Sequence, residues 1–310
     1  MHIVVFGAGS VGGYFGGRLA LAGENVTFIA RGEHLQAMHR NGLQVESIKG
    51  DFAISIVKAT DDPSQVNDVD AILVCVKSWH VTKAGKAIIP MMGRDTFVVP
   101  LENGVEAPSQ LAEILGREHV LGGLCRITCH IASPGHIRHT GIEPYVAFGE
   151  LDKRLSTRAQ KLQQAFEGAG VLVEIPEDIN VAMWQKYLFI STVSGIGAIT
   201  RVPIGEFRSH PETRQMVERA LQDCYAVAVA QGVQLPPESV ANTLAYIDTL
   251  PHETIASMHR DIMDGRPSEL DSQIGAIVQM GQTFNIPTPV HTFIYHCLLP
   301  QERLVRGRLN

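Results

Sequence analysis

No stretch of this 310-residue chain approaches the ~20 consecutive apolar residues that a membrane-spanning helix needs, so no membrane partner is expected. Nor is there a basic excess. Lys and Arg total 26 against 32 Asp and Glu, and the net charge of −6 argues against a general nucleic-acid partner, which needs a basic face. The five cysteines, Cys75, Cys125, Cys129, Cys224 and Cys297, are an odd and scattered set, which excludes a disulfide framework. Cys125, Cys129 and His130, with His136 and His139 nearby, have a zinc-like Cys-x3-Cys spacing but no second ligand pair at finger or ribbon spacing, so no metal is expected. The first residues lack the basic leading segment of a secretory signal, and glycines interrupt the apolar run. A cytoplasmic location is the expectation.

What is there is concentrated in the first thirty-one residues. An apolar run, Ile3 to Phe6, leads into Gly7-Ala8-Gly9-Ser10-Val11-Gly12, then a helix-like stretch, then a second apolar run from Val26 to Ala30 that ends at Arg31. This strand–glycine turn–helix–strand order predicts a dinucleotide-binding unit, with Gly7 for the tight turn, Gly9 for backbone approach to a pyrophosphate and Gly12 for close helix–strand packing. The dipole and free N–H groups at the helix start favour the phosphates. An acid after the second strand would bind the ribose 2′-OH of NAD. The chain has Arg31 there, whose cation suits the 2′-phosphate of NADP, unless it is simply a solvated loop charge.

The first half alternates buried-strand runs (Ile3–Phe6, Val26–Ala30, Ala71–Val76, Phe97–Pro100) with helix-like segments near 10–22, 33–41 and 79–89. Such alternation implies a parallel sheet with helices on both faces. Residues 43–57 read as an inserted hairpin, 119–149 as a further strand group turning at Ser133-Pro134-Gly135, 154–168 as a helix and Val171–Ile175 as a strand. After Pro176 the strand signals largely stop, and 178–200, 211–231, 236–249, 270–284 and 288–304 read as helices punctuated by prolines. The expected fold is an α/β Rossmann-type doubly wound sheet domain, 1–176, followed by an all-helical C-terminal domain, 177–310. The long helices 211–231 and 270–304 offer an apolar face either to a second copy of the chain, making a homodimer, or to the domain's own core.

Candidate site residues recur at the ends of these elements. Val76-Lys77 ends a strand in a cation, and Leu101-Glu102-Asn103-Gly104 follows another, where crevice residues sit in open α/β sheets. Lys186 lies inside the apolar run MWQKYLFISTVSGIGA, where a lysine either snorkels to the surface or is held for function. Read with Trp184-Gln-Lys186, Arg266-Pro-Ser-Glu269-Leu-Asp271 and the opening GAGSVG, these motifs resemble the ketopantoate reductase family nearly end to end. The resemblance implies NADPH-dependent reduction of a branched 2-keto acid, most directly 2-dehydropantoate to pantoate, in the pathway to pantothenate.

It also implies residue roles. Gly7, Gly9 and Gly12 hold the pyrophosphate, with Ala8, Ser10 and Val11 completing the turn, and Arg31 meets the 2′-phosphate. Lys77 and Asn103 line the nicotinamide end, Asn103 also near the substrate. Lys186 is the general acid for the ketone oxygen, Ser257 binds substrate, and Glu269 positions lysine and substrate. The chemistry of the residues agrees, because an ammonium beside a ketone oxygen stabilises the developing charge and supplies the proton. Alone, Glu269 also reads as a helix-start acid and Ser257 as a turn serine.

The chain departs from the family where asparagines usually stand one and two turns after the lysine: Ile190 and Ser194 occupy those positions. Spacing of i, i+4 and i+8 puts all three on one helix face, so Ile190 and Ser194 are expected to line the substrate crevice. An apolar Ile190 removes a donor and an acceptor, which opens the alternative of a different keto acid. A non-catalytic NADP-binding sensor is the reading of a different class, against which Lys186, Glu269 and Asn103 count.

Overall fold

The computed structural model describes residues 1–307, and these form two compact units. The first comprises Met1–Glu102 and Glu106–Ile179; the second comprises Asn103–Val105 and the chain from Asn180 onward. A linear split at 176/177 cannot express this division, because a three-residue segment after the fourth buried strand run belongs with the helical unit.

In chain order the first unit contains β1 (His2–Phe6), α1 (Ser10–Leu21), β2 (Asn25–Ile29), α2 (Gly32–Asn41), β3 (Leu43–Ser47), β4 (Phe52–Ile54), β5 (Lys58–Thr60), β6 (Ala71–Val74), α3 (Val81–Ile88), β7 (Phe97–Pro100), α4 (Ala107–Leu115), β8 (Leu121–Arg126), β9 (Cys129–Ser133), β10 (His136–His139), β11 (Tyr145–Glu150), α5 (Thr157–Gly168) and β12 (Leu172–Glu174). The main sheet is fully parallel, in the order β5-β2-β1-β6-β7. Strands β6 and β7 are apolar at every position, and β1 at every position after His2, because both faces are covered there. Ile3, Val5, Leu73 and Val99 pack with Phe15 and Leu19 of α1 and Phe166 of α5 on one face. Val4, Phe6, Ile72, Val74 and Val98 pack with Val81 and Ile88 of α3 and Leu111 of α4 on the other. The period-two alternation of strand side chains thus feeds two separate cores.

Two smaller sheets extend this frame. One runs β12-β11-β8 and joins the main sheet through a parallel bridge between Val98 and Val120. The other, β4-β3-β10-β9, contains the inserted hairpin; β3 pairs antiparallel with β4 and parallel with β10. It packs on α1, where Tyr14 stacks edge-on to Phe52 at 6.2 Å and against His139 at 5.0 Å.

The second unit contains α6 (Ile179–Thr200), α7 (Ile204–Ser209), α8 (Pro211–Ala230), α9 (Ser239–Thr249), α10 (Ser257–Met263), α11 (Ala276–Phe284) and α12 (Pro289–Gly307). α6 is apolar around most of its circumference, as a helix enclosed by others must be. Its Tyr187, Leu188 and Ile196 share a core with Leu221 and Cys224 of α8, Ile277 of α11 and Ile294 of α12. Asp223 of α8 accepts from the backbone N–H groups of Val290 (2.9 Å) and His291 (3.2 Å), which satisfies the open N-terminus of α12. The apolar stripes of the long helices therefore contribute to this unit's core. The segment expected as one helix over 270–284 instead opens with a π-helical turn, Asp271–Gly275.

Candidate functional site

The glycine turn divides into packed and open positions. Gly7 has φ +101°, and a Cβ there would lie 2.9 Å from the Cys75 carbonyl oxygen. The Gly7 and Ala8 N–H groups both donate to the Ile29 carbonyl at 3.1 Å, tying the turn to the end of β2. At Gly12 a Cβ would lie 2.2 Å from the Gly7 carbonyl oxygen, so α1 starts as close to β1 as backbone permits. At Gly9, which caps α1, a Cβ would meet nothing within 4 Å. The open side of the turn is therefore at the helix start, where first-turn N–H groups lack intrahelical acceptors. This shape and charge fit the pyrophosphate of a dinucleotide.

Side chains around the turn add detail. Ala8 is buried and Val11 packs partly against the core. Burial pushes the Cys129 thiol up to about 12, with a hydrogen bond to Ser10 opposing, so a neutral thiol sits beside the turn. Arg31 caps α2 in extended backbone (φ −142°), is exposed, and has no ion-pair partner among the described residues. One turn on, His34 accepts at Nδ1 from the Gly135 N–H at 3.1 Å, which places its proton on Nε2. Burial lowers the His34 pKa, and the nearby Ala8 backbone opposes this. His34 thus receives the N–H of the β9–β10 turn, a role the sequence pattern did not reveal.

The carboxyl ends of β6 and β7 carry the next group. The exposed Lys77 ammonium lies 5.7 Å from the centre of the Trp79 ring. Glu102, after β7, is buried and accepts from the Val76 N–H at 3.2 Å, so its carboxylate fixes the backbone next to Lys77. Asn103 follows directly in the chain and is half-buried.

In the helical unit the chain neighbours of two expected residues approach one carbonyl. Tyr187, the residue after Lys186, donates from its hydroxyl to the Ser272 carbonyl oxygen at 2.9 Å. Gly104, the residue after Asn103, has φ +107°, and a Cβ on it would lie 3.4 Å from the same oxygen. Ser272 is three residues past Glu269 and donates from its own hydroxyl to the Glu269 carbonyl at 3.2 Å. The neighbours of Asn103, Lys186 and Glu269 thus meet at Ser272, although the three residues are far apart in sequence.

Lys186 and Ile190 are both half-buried. Ser194 is fully enclosed, and its hydroxyl has no partner among the described residues. The expectation that Ile190 and Ser194 line one open wall is therefore corrected: the partly exposed part of this face ends at Ile190. Helix α6 passes into the packed interior at Gly195, where a Cβ would lie 2.9 Å from the Ile274 side chain.

Glu269 is buried and held from two sides. Its side chain accepts from Gln273 Nε2 at 3.1 Å. The preceding residue, Ser268, is anchored to α12: its N–H and hydroxyl both reach the Glu302 carboxylate, the hydroxyl at 2.6 Å. Arg306 closes the network, donating to Glu302 at 2.6 Å and to the Ser268 carbonyl at 2.7 Å. Buried charges persist only with such pairing.

Ser257 opens α10 and is exposed. Two residues on, His259 packs over Gly197, where a Cβ would lie 2.6 Å from its Nδ1. Gly197 is three turns beyond Lys186 on α6, roughly 16 Å along the axis at ~1.5 Å per residue. Burial lowers the His259 pKa, and the neighbouring Arg260 acts in the same direction. Ser257 itself stands exposed at the first position of α10.

Among the described residues no group of three or more His, Cys, Asp or Glu side chains is placed to hold a metal ion, and no helix is long and apolar enough to cross a membrane. The ketopantoate reductase PanE/ApbA family model matches residues 3–153, and the corresponding C-terminal model matches residues 178–302.

The chain belongs to the ketopantoate reductase family.

This is a family of oxidoreductases, and the Rossmann unit followed by a helical unit is its architecture. A 2-dehydropantoate 2-reductase from Archaeoglobus fulgidus is 30% identical over 307 residues, covering 99% of this chain and 97% of its own. The crystal structure of a PanE/ApbA family ketopantoate reductase from Ralstonia eutropha is 31% identical, with a TM-score of 0.90 over 99% of this chain and 100% of that one. A D-mandelate dehydrogenase solved with NADH and anilino(oxo)acetate shares the fold, with a TM-score of 0.88 at 24% identity over 99% of this chain and 100% of its own.

Proposed function

We propose that this ketopantoate reductase family member reduces a 2-keto acid to the 2-hydroxy acid with NADPH, and that 2-dehydropantoate is the first substrate to test. The observation that carries the reading is the set of contacts at Ser272, where Tyr187 and Gly104 approach the carbonyl oxygen and the hydroxyl donates to the Glu269 carbonyl. A binding-only protein needs no proton donor such as Lys186.

Each residue has a task in that reading. The turn at Gly7, Gly9 and Gly12 receives the pyrophosphate, and Arg31 receives the 2′-phosphate. When bound, the nicotinamide supplies the hydride. Lys186 donates a hydrogen bond to the ketone oxygen and passes its Nζ proton to that oxygen as negative charge develops there. Glu269 orients the ammonium and the substrate, and Asn103 contributes an amide. Ser257 is proposed as a further substrate contact on the strength of the family resemblance. Lys77 is assigned to the nicotinamide end on the same basis.

A second reading concerns the substrate side chain. With Ile190 half-buried and Ser194 enclosed, the face beyond the lysine lacks a side-chain amide, which favours an apolar branched or aromatic 2-keto acid. One experiment addresses both readings: following loss of the reduced-nicotinamide absorbance for a panel of branched and aromatic 2-keto acids with NADPH and with NADH. The reading expects turnover preferring NADPH, abolished in Lys186→Ala while NADPH binding persists. Unchanged turnover in that variant would remove Lys186 as the acid. Tight NADPH binding without turnover of any acid would favour the sensor.

A further inference from the structure

We infer that Gln273 is a positioning residue for the Glu269 carboxylate, an inference that rests on the role proposed above for Glu269. The pair is local and buried. Gln273 donates from Nε2 to Glu269 Oε2 at 3.1 Å, and its backbone N–H donates to the Glu269 carbonyl at 2.9 Å. Glu269 is 6% exposed and Gln273 0%. Because a carboxylate accepts, the amide nitrogen must face Glu269, and this fixes which way round the side chain sits.

The surroundings make an amide an expensive choice for packing alone. Leu270 and Ile274 on either side are both fully buried in the helical core. The other end of the Gln273 amide, Oε1, is buried with no donor among the described residues. A buried acceptor without a donor destabilises the fold, so an apolar side chain of equal size would suit the interior better. What the amide contributes is a directed N–H at the carboxylate, a bond strengthened by the charge it meets.

The backbone supports the same assignment. Gln273 lies within the π-helical turn Asp271–Gly275, where the Ala276 N–H reaches back to the Asp271 carbonyl. Single π-helical turns are weaker than α-helix and recur where a side chain has to be set for function. This turn is clamped to α6 on both flanks, through Ser272 to Tyr187 and through Ile274 to Gly195. It therefore holds the Glu269–Gln273 pair at a fixed height beside the helix that carries Lys186.

The test uses the full-length protein and the 2-keto acid it reduces fastest. Gln273→Met removes the amide at nearly constant volume. It is expected to lower kcat/KM about tenfold or more with only a small change in thermal stability, because loss of the orphan acceptor offsets the donor that the Glu269 carboxylate loses. Glu269→Gln should be impaired by itself, and adding Gln273→Met to it should cost little further, since Gln273 acts through the carboxylate. Gln273→Asn, which keeps the amide on a shorter stem, should recover part of the loss. If Gln273→Met lowers the melting temperature and leaves kcat/KM intact, the residue is structural and the proposal is overturned. If Glu269→Gln itself retains wild-type kcat/KM, the reading of Glu269 fails first and this inference with it. If Glu269→Gln is impaired but Gln273→Met is not, the inference alone fails.

Discussion

The Tyr187 hydroxyl and the Ser272 carbonyl oxygen, 2.9 Å apart and 85 residues apart in sequence, tie the helix that carries Lys186 to the segment that carries Glu269. Tyr187 is 1% exposed and Ser272 half-buried, so the bond is partly shielded from water. Tyr187→Phe keeps the ring in the core and leaves the carbonyl without that donor. A loss of about 1–3 kcal/mol in stability is expected. A fall in kcat/KM with unchanged NADPH affinity should accompany it, measured by denaturation, steady-state kinetics and cofactor titration. Equal kcat/KM in the variant would show that the tie does not position the acid.

The two glycines of the turn should respond oppositely to the same methyl group. Gly12→Ala drives a Cβ to 2.2 Å from backbone and cannot be relieved by a side-chain rotation, so it should destabilise the first unit by about 1–3 kcal/mol or more. Gly9→Ala meets no protein atom and should leave the melting temperature within a degree or two. If its open side receives the pyrophosphate, it should nevertheless weaken NADPH binding. Retained affinity in a folded Gly9→Ala protein would place the phosphates elsewhere.

The proposed function assigns cofactor choice to Arg31, which is exposed and has no carboxylate to neutralise it among the described residues. A hydrogen bond to a charged group contributes ~1.5–3 kcal/mol, so Arg31→Ala should raise the KM for NADPH roughly 10- to 100-fold. The KM for NADH should barely move, because NADH carries no 2′-phosphate. Parallel losses with both cofactors would make Arg31 a structural charge.

His34 and His259 set an acid limit on stability. Burial lowers both pKa values below the usual 6.5, so the folded state binds fewer protons than the unfolded state near and below that pH. Their contribution is present above about pH 6.5 and is lost as the pH falls through the lowered folded values. For His34 the protonated ring also presents N–H at Nδ1 toward the Gly135 N–H. Urea denaturation between pH 5 and 8 should show stability falling on the acid side, with His34→Gln and His259→Gln each flattening part of the slope. A slope unaltered in the double variant would assign the loss to other groups.

The strands of the main sheet were readable because burial on both faces leaves uninterrupted apolar runs, as at Ile3–Phe6 and Phe97–Pro100. Helices α4, α7 and α10 escaped the pattern. They are six to nine residues long, too short to complete a convincing period, and α4 sits under Pro108. Strand β5 has three residues and reads as part of a loop. Of the site, the glycine turn was readable since its roles are backbone roles with fixed spacing. Gln273 was within reach, as an amide four residues after an acid on a helix face. The tie from Tyr187 to Ser272 was not, because a side-chain bond to a backbone carbonyl leaves no mark in residue type. Enclosure of Ser194 was also hidden: helical periodicity gives a direction but not the depth of what lies there.

The network at Ser268 bears on how the protein is made. Ser268 receives its two side-chain and backbone partners from Glu302, 34 residues later in the chain, and Arg306 follows after that. During synthesis the segment bearing Glu269 emerges well before the residues that hold it. A nascent chain can therefore form its glycine turn early, yet the Ser268 anchor beside Glu269 is incomplete until Glu302 and Arg306 have left the ribosome.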